Sequence, residues 1–146
     1  MRGKTKAAPH YTGPRRREVT HFGSVITCDI VHLVDANLGT GVGGYKWGLV
    51  IRSLYGHGFQ MFYPMKRERT EDVYWAIKHF VGTSQVDLLY TDDAPQFRRA
   101  AKLLGIPWDH SEPGQPKNNS IAEALGGVSV STLRACCVTA GFPACF

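Results

Sequence analysis

Apolar and polar positions follow two different patterns along the chain, and the first half has the pattern of strands. Short runs rich in β-branched and aromatic residues occupy 25–31, 45–55 and 59–65, and such runs are typical of β-strands. Glycine-containing stretches at 39–44 and 56–58 separate them. Links of this kind predict an antiparallel, three-stranded meander.

The second half follows a helical period. A helix is predicted from an N-cap at Thr70 to a stop at Gly82, because four apolar residues share one helical face. These residues are Val73, Ile77, Phe80 and Val81. A second helix is predicted over 94–104 and ends at Gly105. Its inward positions are Phe97, Ala101 and Leu104.

Two further strands and a last helix complete the predicted order. Apolar runs at 86–91 and 106–109 predict the strands, and the helix is predicted from about Ser120. The order is then β-β-β-α-β-α-β-α, which is typical of an α/β fold with a mixed, five-stranded sheet. With 146 residues, 43% of them apolar, the chain fits one domain that needs no metal or disulfide to fold.

The excess positive charge lies in the segment 1–20. This segment holds six of the 17 Lys and Arg residues and one of the 12 acids, and the balance of +5 equals the net charge of the whole chain. Because it lacks apolar periodicity, we expect a flexible basic arm over 1–20 and a folded domain over 21–146. A solubilising leader without a binding role is the alternative. The arm residues expected to contact phosphate groups are Lys4, Lys6, Arg15, Arg16 and Arg17.

Cysteine spacing and hydropathy bear on the class of protein. The cysteines show no paired C-x-x-C spacing, so we expect buried or spectator thiols rather than a zinc site or a disulfide framework. They are Cys28, Cys136, Cys137 and Cys145. Every apolar run is shorter than a bilayer span, and no signal-peptide pattern opens the chain. These features predict a soluble, intracellular protein with no membrane partner.

Three acids stand at positions that favour a functional role over that of an ordinary solvent-exposed surface charge. Asp29 lies inside the first predicted strand, where an unpartnered carboxylate is costly. Asp92 ends the fourth strand, at the edge where open α/β sheets place their sites. Glu123 lies in the first turn of the last helix. If the three converge, their repulsion calls for a cation between them, and carboxylate oxygens favour Mg²⁺ or Mn²⁺ over zinc.

Each of these acids also has a structural alternative. Strand neighbours can neutralise a carboxylate, and acids at a helix start interact favourably with the helix dipole. The alternatives are an ion pair of Asp29 with Lys46 or Arg52, a helix cap by Asp92 or Asp93, and a capping box of Ser120 with Glu123.

Three segments resemble the catalytic core of retroviral and copia-type retrotransposon integrases. They read Y-T-D-D-A-P-Q-F at 90–97, L-G-I at 104–106 and P-G-Q-P-K-N-N-S-I-A-E at 113–123. The resemblance covers about residues 20–140. The basic opening with Gly3 and Lys4 is similar to the linker that precedes the core in these polyproteins, and their zinc-binding module has no counterpart in this sequence.

The resemblance implies an RNase H-like, three-layer fold with a D,D,E triad at Asp29, Asp92 and Glu123. The triad would hold two Mg²⁺ or Mn²⁺ ions, bridged by Asp29, for DNA end processing and strand transfer. His32 stands at a position where some relatives also have histidine, although a packed core histidine is the simpler interpretation. Near the DNA end, the implied contacts are Lys117, Asn118 and Asn119.

The resemblance also implies partners and a setting. The DNA partners would be retroelement ends and a target duplex, and the protein would act as a homodimer or higher oligomer. The element particle would assemble in the cytoplasm, and integration would take place in the nucleus. The folded domain would be a core truncated at its C-terminal end.

The sequence departs from the integrase pattern at three places. Asp93 stands where the family usually has Asn, and the segment between Asp92 and Glu123 is shorter than usual. Gly126 and Gly127 fall near the start of the last helix, where two glycines cost about 2 kcal/mol relative to alanines. A catalytically degenerate, nucleic-acid-binding relic of the same fold is therefore the alternative function. A structural α/β module with a basic tail is the third possibility.

Overall fold

The structure, a computed structural model, describes residues 18–32 and 42–110 and has the predicted order of elements as far as the fifth strand. The strands are β1 (Ile26–His32), β2 (Trp47–Ser53), β3 (Gln60–Met65), β4 (Leu89–Thr91) and β5 (Trp108–His110). The helices are α1 (Thr70–Val81) and α2 (Pro95–Leu104), and a short 3-10 turn spans Val42–Gly44. The last helix, predicted from about Ser120, lies outside the described residues.

The five strands form one mixed sheet in the order β3-β2-β1-β4-β5. The first three strands pair antiparallel, as the glycine-containing links predict. β4 and β5 each follow a helix and pair parallel to β1 and to β4, because a crossover helix returns the chain to the same end of the sheet. The predicted α/β class and five-stranded mixed sheet are confirmed.

The core lies between one face of the sheet and the two helices. Ile26 and Cys28 alternate with residues of the other face along β1, and Leu49 and Ile51 do the same along β2. α1 contributes five buried residues, which are Val73, Ala76, Ile77, Phe80 and Val81. From α2, Phe97 is fully buried. Removing a core aromatic side chain of this kind costs about 3–5 kcal/mol, so this layer holds the sheet in place.

One helix boundary and one buried helix position differ slightly from the sequence predictions. Arg69, in extended conformation, is the N-cap of α1, and no side chain makes a capping hydrogen bond there, so Thr70 is the first helical residue instead of the cap. Leu104 is half-buried, and Ala100 takes the buried position on α2. Gly82 and Gly105 end the helices with φ of 56° and 67°, which glycine adopts without strain.

The fourth strand is shorter than its apolar run. Before it, the Leu88 carbonyl accepts a hydrogen bond from the Ile26 N–H of β1 at 2.9 Å, and the Asp87 N–H donates to the Gly23 carbonyl, outside β1, at 2.9 Å. The strand itself begins at Leu89. Within 18–32 and 42–110, neither helix has the length and apolar character needed to cross a bilayer.

Candidate carboxylate site at the ends of the parallel strands

Asp29 and Asp92 come from distant parts of the sequence and meet through the register of β1 and β4. Ile26 pairs with Leu89 and Thr27 with Tyr90, so the two strands advance in step. Continued by two positions, the same register places Asp29 opposite Asp92, which follows the last residue of β4. Opposite residues on neighbouring strands are about 4.8 Å apart and project from the same face. The register therefore brings two of the three predicted site acids to the same part of the sheet.

The charges of both carboxylates act on the pKa of the buried Cys28 thiol. Burial raises the pKa of Cys28 well above its usual range, and the negative charges of Asp29 and Asp92 raise it further. A carboxylate acts on a thiol in this way only from nearby. Cys28 itself is a free, buried cysteine, as predicted for it.

Asp92 lies in a turn between β4 and α2. Partial burial raises the pKa of the Asp92 carboxyl above its ordinary value, hydrogen bonding from the Ala94 N–H lowers it, and the charge of Asp93 raises it. α2 has Ala94 as its N-cap, and no side chain makes a capping hydrogen bond there. The Asp92 carboxyl therefore accepts a hydrogen bond from the residue that precedes α2, so its structural alternative at the helix start stays open, and the acid also lies beside a second negative charge.

The side chains of Thr91 and Trp108 fix the backbone at Asp92. The Thr91 hydroxyl is fully buried and donates to the Asp92 carbonyl oxygen at 2.7 Å. The same oxygen of Thr91 accepts a hydrogen bond from the Trp108 Nε1–H at 2.9 Å, which ties β4 to β5. Sequence reasoning missed this pair, and the only signal for it is a threonine directly before the acid at a strand end.

Arg52, one of the proposed ion-pair partners of Asp29, serves the next hairpin instead. It is opposite Thr27 in the β1–β2 register, two residues before Asp29. Its guanidinium donates to the His57 carbonyl oxygen at 3.4 Å and lies against Gly58, whose φ of 78° favours glycine. Lys46 lies at the opposite end of β2.

His32 is not a packed core histidine. It is exposed at the last position of β1, and its ring contacts the Trp47 ring with centroids 4.5 Å apart. The interpretation as a core residue was wrong because the sheet ends here, beyond the cover of the helices. His32 lies three residues beyond Asp29 on the same strand, and its side chain projects from the opposite face of the sheet.

The third acid and all predicted nucleic-acid contacts lie outside the described residues. These are Glu123, the arm residues Lys4, Lys6, Arg15, Arg16 and Arg17, and the loop residues Lys117, Asn118 and Asn119. Within 18–32 and 42–110 no group of three His, Cys, Asp or Glu side chains is placed to hold a metal ion. The described part of the site thus consists of two acids, and the third stays a prediction.

A serine, a histidine and an aspartate at the far end of the sheet resemble a hydrolase triad only in composition. Ser24 Oγ lies 2.9 Å from His21 Nδ1, and His21 Nε2 lies 3.4 Å from an Asp87 carboxylate oxygen. Ser24 is 5% exposed, and its Oγ accepts hydrogen bonds from the backbone N–H groups of Thr20 and His21. A buried hydroxyl that closes a turn cannot reach a substrate, so this group is structural.

Comparison with known proteins places the fold. No protein-family model and no curated protein sequence matches the chain. A chain of the simian T-cell lymphotropic virus intasome, solved by cryo-electron microscopy in complex with PP2A regulatory subunit B56 gamma, matches 82% of this chain at a TM-score of 0.59 and 20% identity. The catalytic core domain of BIV integrase matches 70% of it at a TM-score of 0.50 and 18% identity.

The chain has the fold of a retroviral integrase catalytic core. The fold expected from the sequence resemblance is thereby confirmed. The chain spans 44% of the length of the intasome chain and 63% of the BIV core chain that it matches. Within the integrase-core fold, Asp92 directly follows β4, at the carboxyl end where open α/β sheets place their sites, and Asp29 lies inside the parallel neighbour β1.

Proposed function

We propose that this chain is a core of the retrotransposon integrase type, which trims DNA ends and joins them to a target duplex in a divalent-metal-dependent reaction. The observation that carries the proposal is the β1–β4 register, which brings Asp29 beside Asp92 in an integrase-core fold. Glu123 is proposed as the third acid, entering from the last predicted helix. The predicted DNA partners, oligomeric assembly and nuclear site of action belong to this proposal.

The two described acids fit a hard divalent cation. Both offer carboxylate oxygens, the ligands that Mg²⁺ and Mn²⁺ prefer. They also lie close enough to act together on the Cys28 thiol, and neighbouring acids of this kind repel each other unless a cation lies between them. Asp29, Asp92 and Glu123 would hold the ions, and two ions, when bound, supply charge stabilisation to the attacking and leaving oxygens of a phosphodiester.

Other groups in the site have a positioning role and do not react themselves. Thr91 and Trp108 hold the backbone of Asp92, so its carboxylate is presented at a fixed place beside β1. Fixing reacting groups in this way supplies much of the barrier reduction in phosphodiester transfer. The basic arm is proposed to retain the DNA while its end is processed.

A nicking and strand-transfer assay with Mn²⁺ tests the proposal. Asp29→Asn and Asp92→Asn are expected to lower the activity of the full chain by at least about 100-fold, because each removes a direct metal ligand. Asp72→Asn, which removes an exposed acid in the first turn of α1, is the charge-matched control and should keep full activity. Equal activity in the three variants would contradict the assignment.

A second readout does not depend on turnover. An ion that binds only the folded state at about 100 times its Kd adds about 2.7 kcal/mol to the free energy of unfolding. Mn²⁺ should therefore raise the melting temperature of the wild type and of Asp72→Asn, and leave Asp92→Asn unchanged.

An inert nucleic-acid-binding relic is the second candidate, and one observation favours it. Asp93 stands next to Asp92 and raises the pKa of its carboxyl, whereas the integrase pattern has a neutral Asn there. DNA binding without any stabilisation by Mn²⁺ would support the relic over the enzyme.

A further inference from the structure

A groove at one end of the sheet is lined by positive charge. It has a volume of about 600 Å³ and lies between the residues that precede β2 and those that follow β3. Lys46, Lys66 and Arg67 line it together with a single acid, Glu68, and all four are exposed. Its floor includes Gly44 and the half-buried Trp47. We call this the basic groove.

The β2–β3 hairpin creates the groove from two separate stretches of the sequence. Trp47 pairs with Met65, and the Lys46 N–H donates to the Met65 carbonyl at 3.2 Å, which continues the ladder by one residue. Lys46 therefore comes beside Lys66, which directly follows β3. The Lys66 ammonium lies 5.2 Å from the centroid of the Tyr45 ring, which holds it over an aromatic face.

The cations of the basic groove keep their charge available. Among the described residues His21 pairs with Asp87, and none of Lys46, Lys66 or Arg67 takes part in an ion pair. Three unneutralised cations against one carboxylate give the groove a local excess of +2. A polyanion with closely spaced charges suits such a surface better than a neutral or cationic ligand.

The basic groove and the two acids open at the same end of the sheet. His32, Trp47 and Met65 form one row across β1, β2 and β3, and this row is three residues beyond the row of Asp29, Val50 and Phe62. Three residues of strand span about 10 Å. Successive phosphates of one duplex strand advance about 3.4 Å along the axis. Because strand side chains alternate, Lys46 also lies on the face that carries Asp29.

We infer that the basic groove binds the phosphate backbone of duplex DNA about three nucleotides from the point at which the DNA meets Asp29 and Asp92. The inference rests on the proposed function for the identity of the polyanion. Lys46, Lys66 and Arg67 each contact a phosphate, and the Tyr45 ring keeps Lys66 directed into the groove. The groove carries no sequence preference, because phosphate contacts position a duplex without reading its bases.

The salt dependence of binding tests the inference. The full chain is titrated onto a short fluorescent duplex in EDTA at a series of NaCl concentrations. Lys66→Ala should reduce the slope of log K against log salt by about 0.9. If variant and wild type bind equally at about 1 M salt, the variant binds about eightfold more weakly than the wild type at about 0.1 M salt. Lys78→Ala is the matched control, since Lys78 also lies over aromatic rings, 5.1 Å from Trp75 and 5.6 Å from Tyr74, but outside the groove. It should leave the slope unchanged.

Other outcomes separate the inference from the proposed function. Equal slopes for Lys66→Ala and Lys78→Ala, or no duplex binding at all, would contradict the inference that the basic groove binds duplex DNA. Inorganic phosphate that shifts the Lys66 resonances while Lys66→Ala leaves the DNA slope unchanged would mean that the groove takes a free anion instead. If Lys66→Ala lowers the melting temperature, Arg67→Gln gives the same test at an exposed side chain. If Lys66→Ala flattens the salt slope and Asp92→Asn does not change the nicking or strand-transfer activity, the proposed catalytic function is contradicted and DNA binding by the basic groove is supported.

Discussion

Partial burial and a neighbouring charge shift the pKa of Asp92 in one direction, and hydrogen bonding shifts it in the other. Burial and Asp93 raise the pKa of the carboxyl, and the Ala94 N–H opposes them. A carboxyl whose pKa is raised by folding favours the folded state below its ordinary pKa, and this contribution is lost as the pH rises through the folded-state pKa. At neutral pH, the ionised Asp92 is therefore a destabilising group in the metal-free protein.

We predict that Asp92→Asn is more stable than the wild type at neutral pH. The gain should be at most about 1 kcal/mol, because the carboxyl is only partly buried and solvent screens its charge. It should disappear below about pH 4, where the wild-type carboxyl is protonated. Urea unfolding at about pH 7 and about pH 3, on either side of the ordinary carboxyl pKa, measures both values. A variant that is less stable at neutral pH would show that the hydrogen bond from the Ala94 N–H to the carboxylate outweighs burial and the charge of Asp93.

Thr91 shows how elements, rather than single residues, position the site. Its buried hydroxyl joins β4 to Trp108 of β5 and to the backbone of Asp92. Thr91→Val should lower the free energy of unfolding by about 1–2 kcal/mol, because the Trp108 indole N–H loses its acceptor inside the protein. Thr91→Ser keeps the hydroxyl and is the control for the lost hydrogen bonds.

The free energy of unfolding alone does not test whether Thr91 positions Asp92 for metal binding. If Thr91 holds the Asp92 backbone, Thr91→Val should also weaken the rise in melting temperature on Mn²⁺ addition, and Thr91→Ser should restore it. A Thr91→Val variant that is less stable and responds fully to Mn²⁺ would limit Thr91 to packing between strands.

Local pattern was sufficient to predict most elements and insufficient at their ends. Alternation and glycine links predicted the meander, and Gly82 and Gly105 marked both helix ends, because these signals act within a few residues. The N-cap of α1 was misplaced at Thr70, since the structure uses Arg69 without any side-chain cap. β4 is shorter than its apolar run, and the Asp87 N–H before it donates to the Gly23 carbonyl.

The site was predictable in part for the same reason. Asp29 and Asp92 could be selected because each stands at an unusual place in a strand, and the order of acids matched a known pattern. Their adjacency depends on a register between strands that are far apart in the sequence, which no local signal encodes. The basic groove was missed because Lys46 and Lys66 become neighbours only through the β2–β3 pairing.

At the scale of the whole molecule, the fold gathers acids and cations at one end of the sheet. β1 and β4 present Asp29 and Asp92 there, and the β2–β3 hairpin presents the basic groove. Acids that bind metal repel DNA phosphates until the metal is bound, so cations nearby are needed to hold the duplex in its absence. In this arrangement the basic groove would retain the DNA, and the acids with their bound metal would carry out the reaction.

This division of roles leads to a prediction about the basic arm. Deleting residues 1–20 removes six Lys and Arg residues and one acid, and should flatten the salt slope of duplex binding by about 4 to 5 if most of these cations contact phosphates. The deletion should weaken binding similarly for all sequences, because these contacts are to the backbone.

The arm and the basic groove are expected to contribute independently. Adding Lys66→Ala to the deletion should remove a further slope of about 0.9, as in the full chain, because well-separated contacts add. Fluorescence anisotropy of the four proteins over one salt series completes this cycle. If Lys66→Ala has no effect once the arm is deleted, the arm carries the duplex to the groove and the two form one site. If the deletion leaves the slope unchanged, the arm is a bystander and the duplex is held by the folded domain alone.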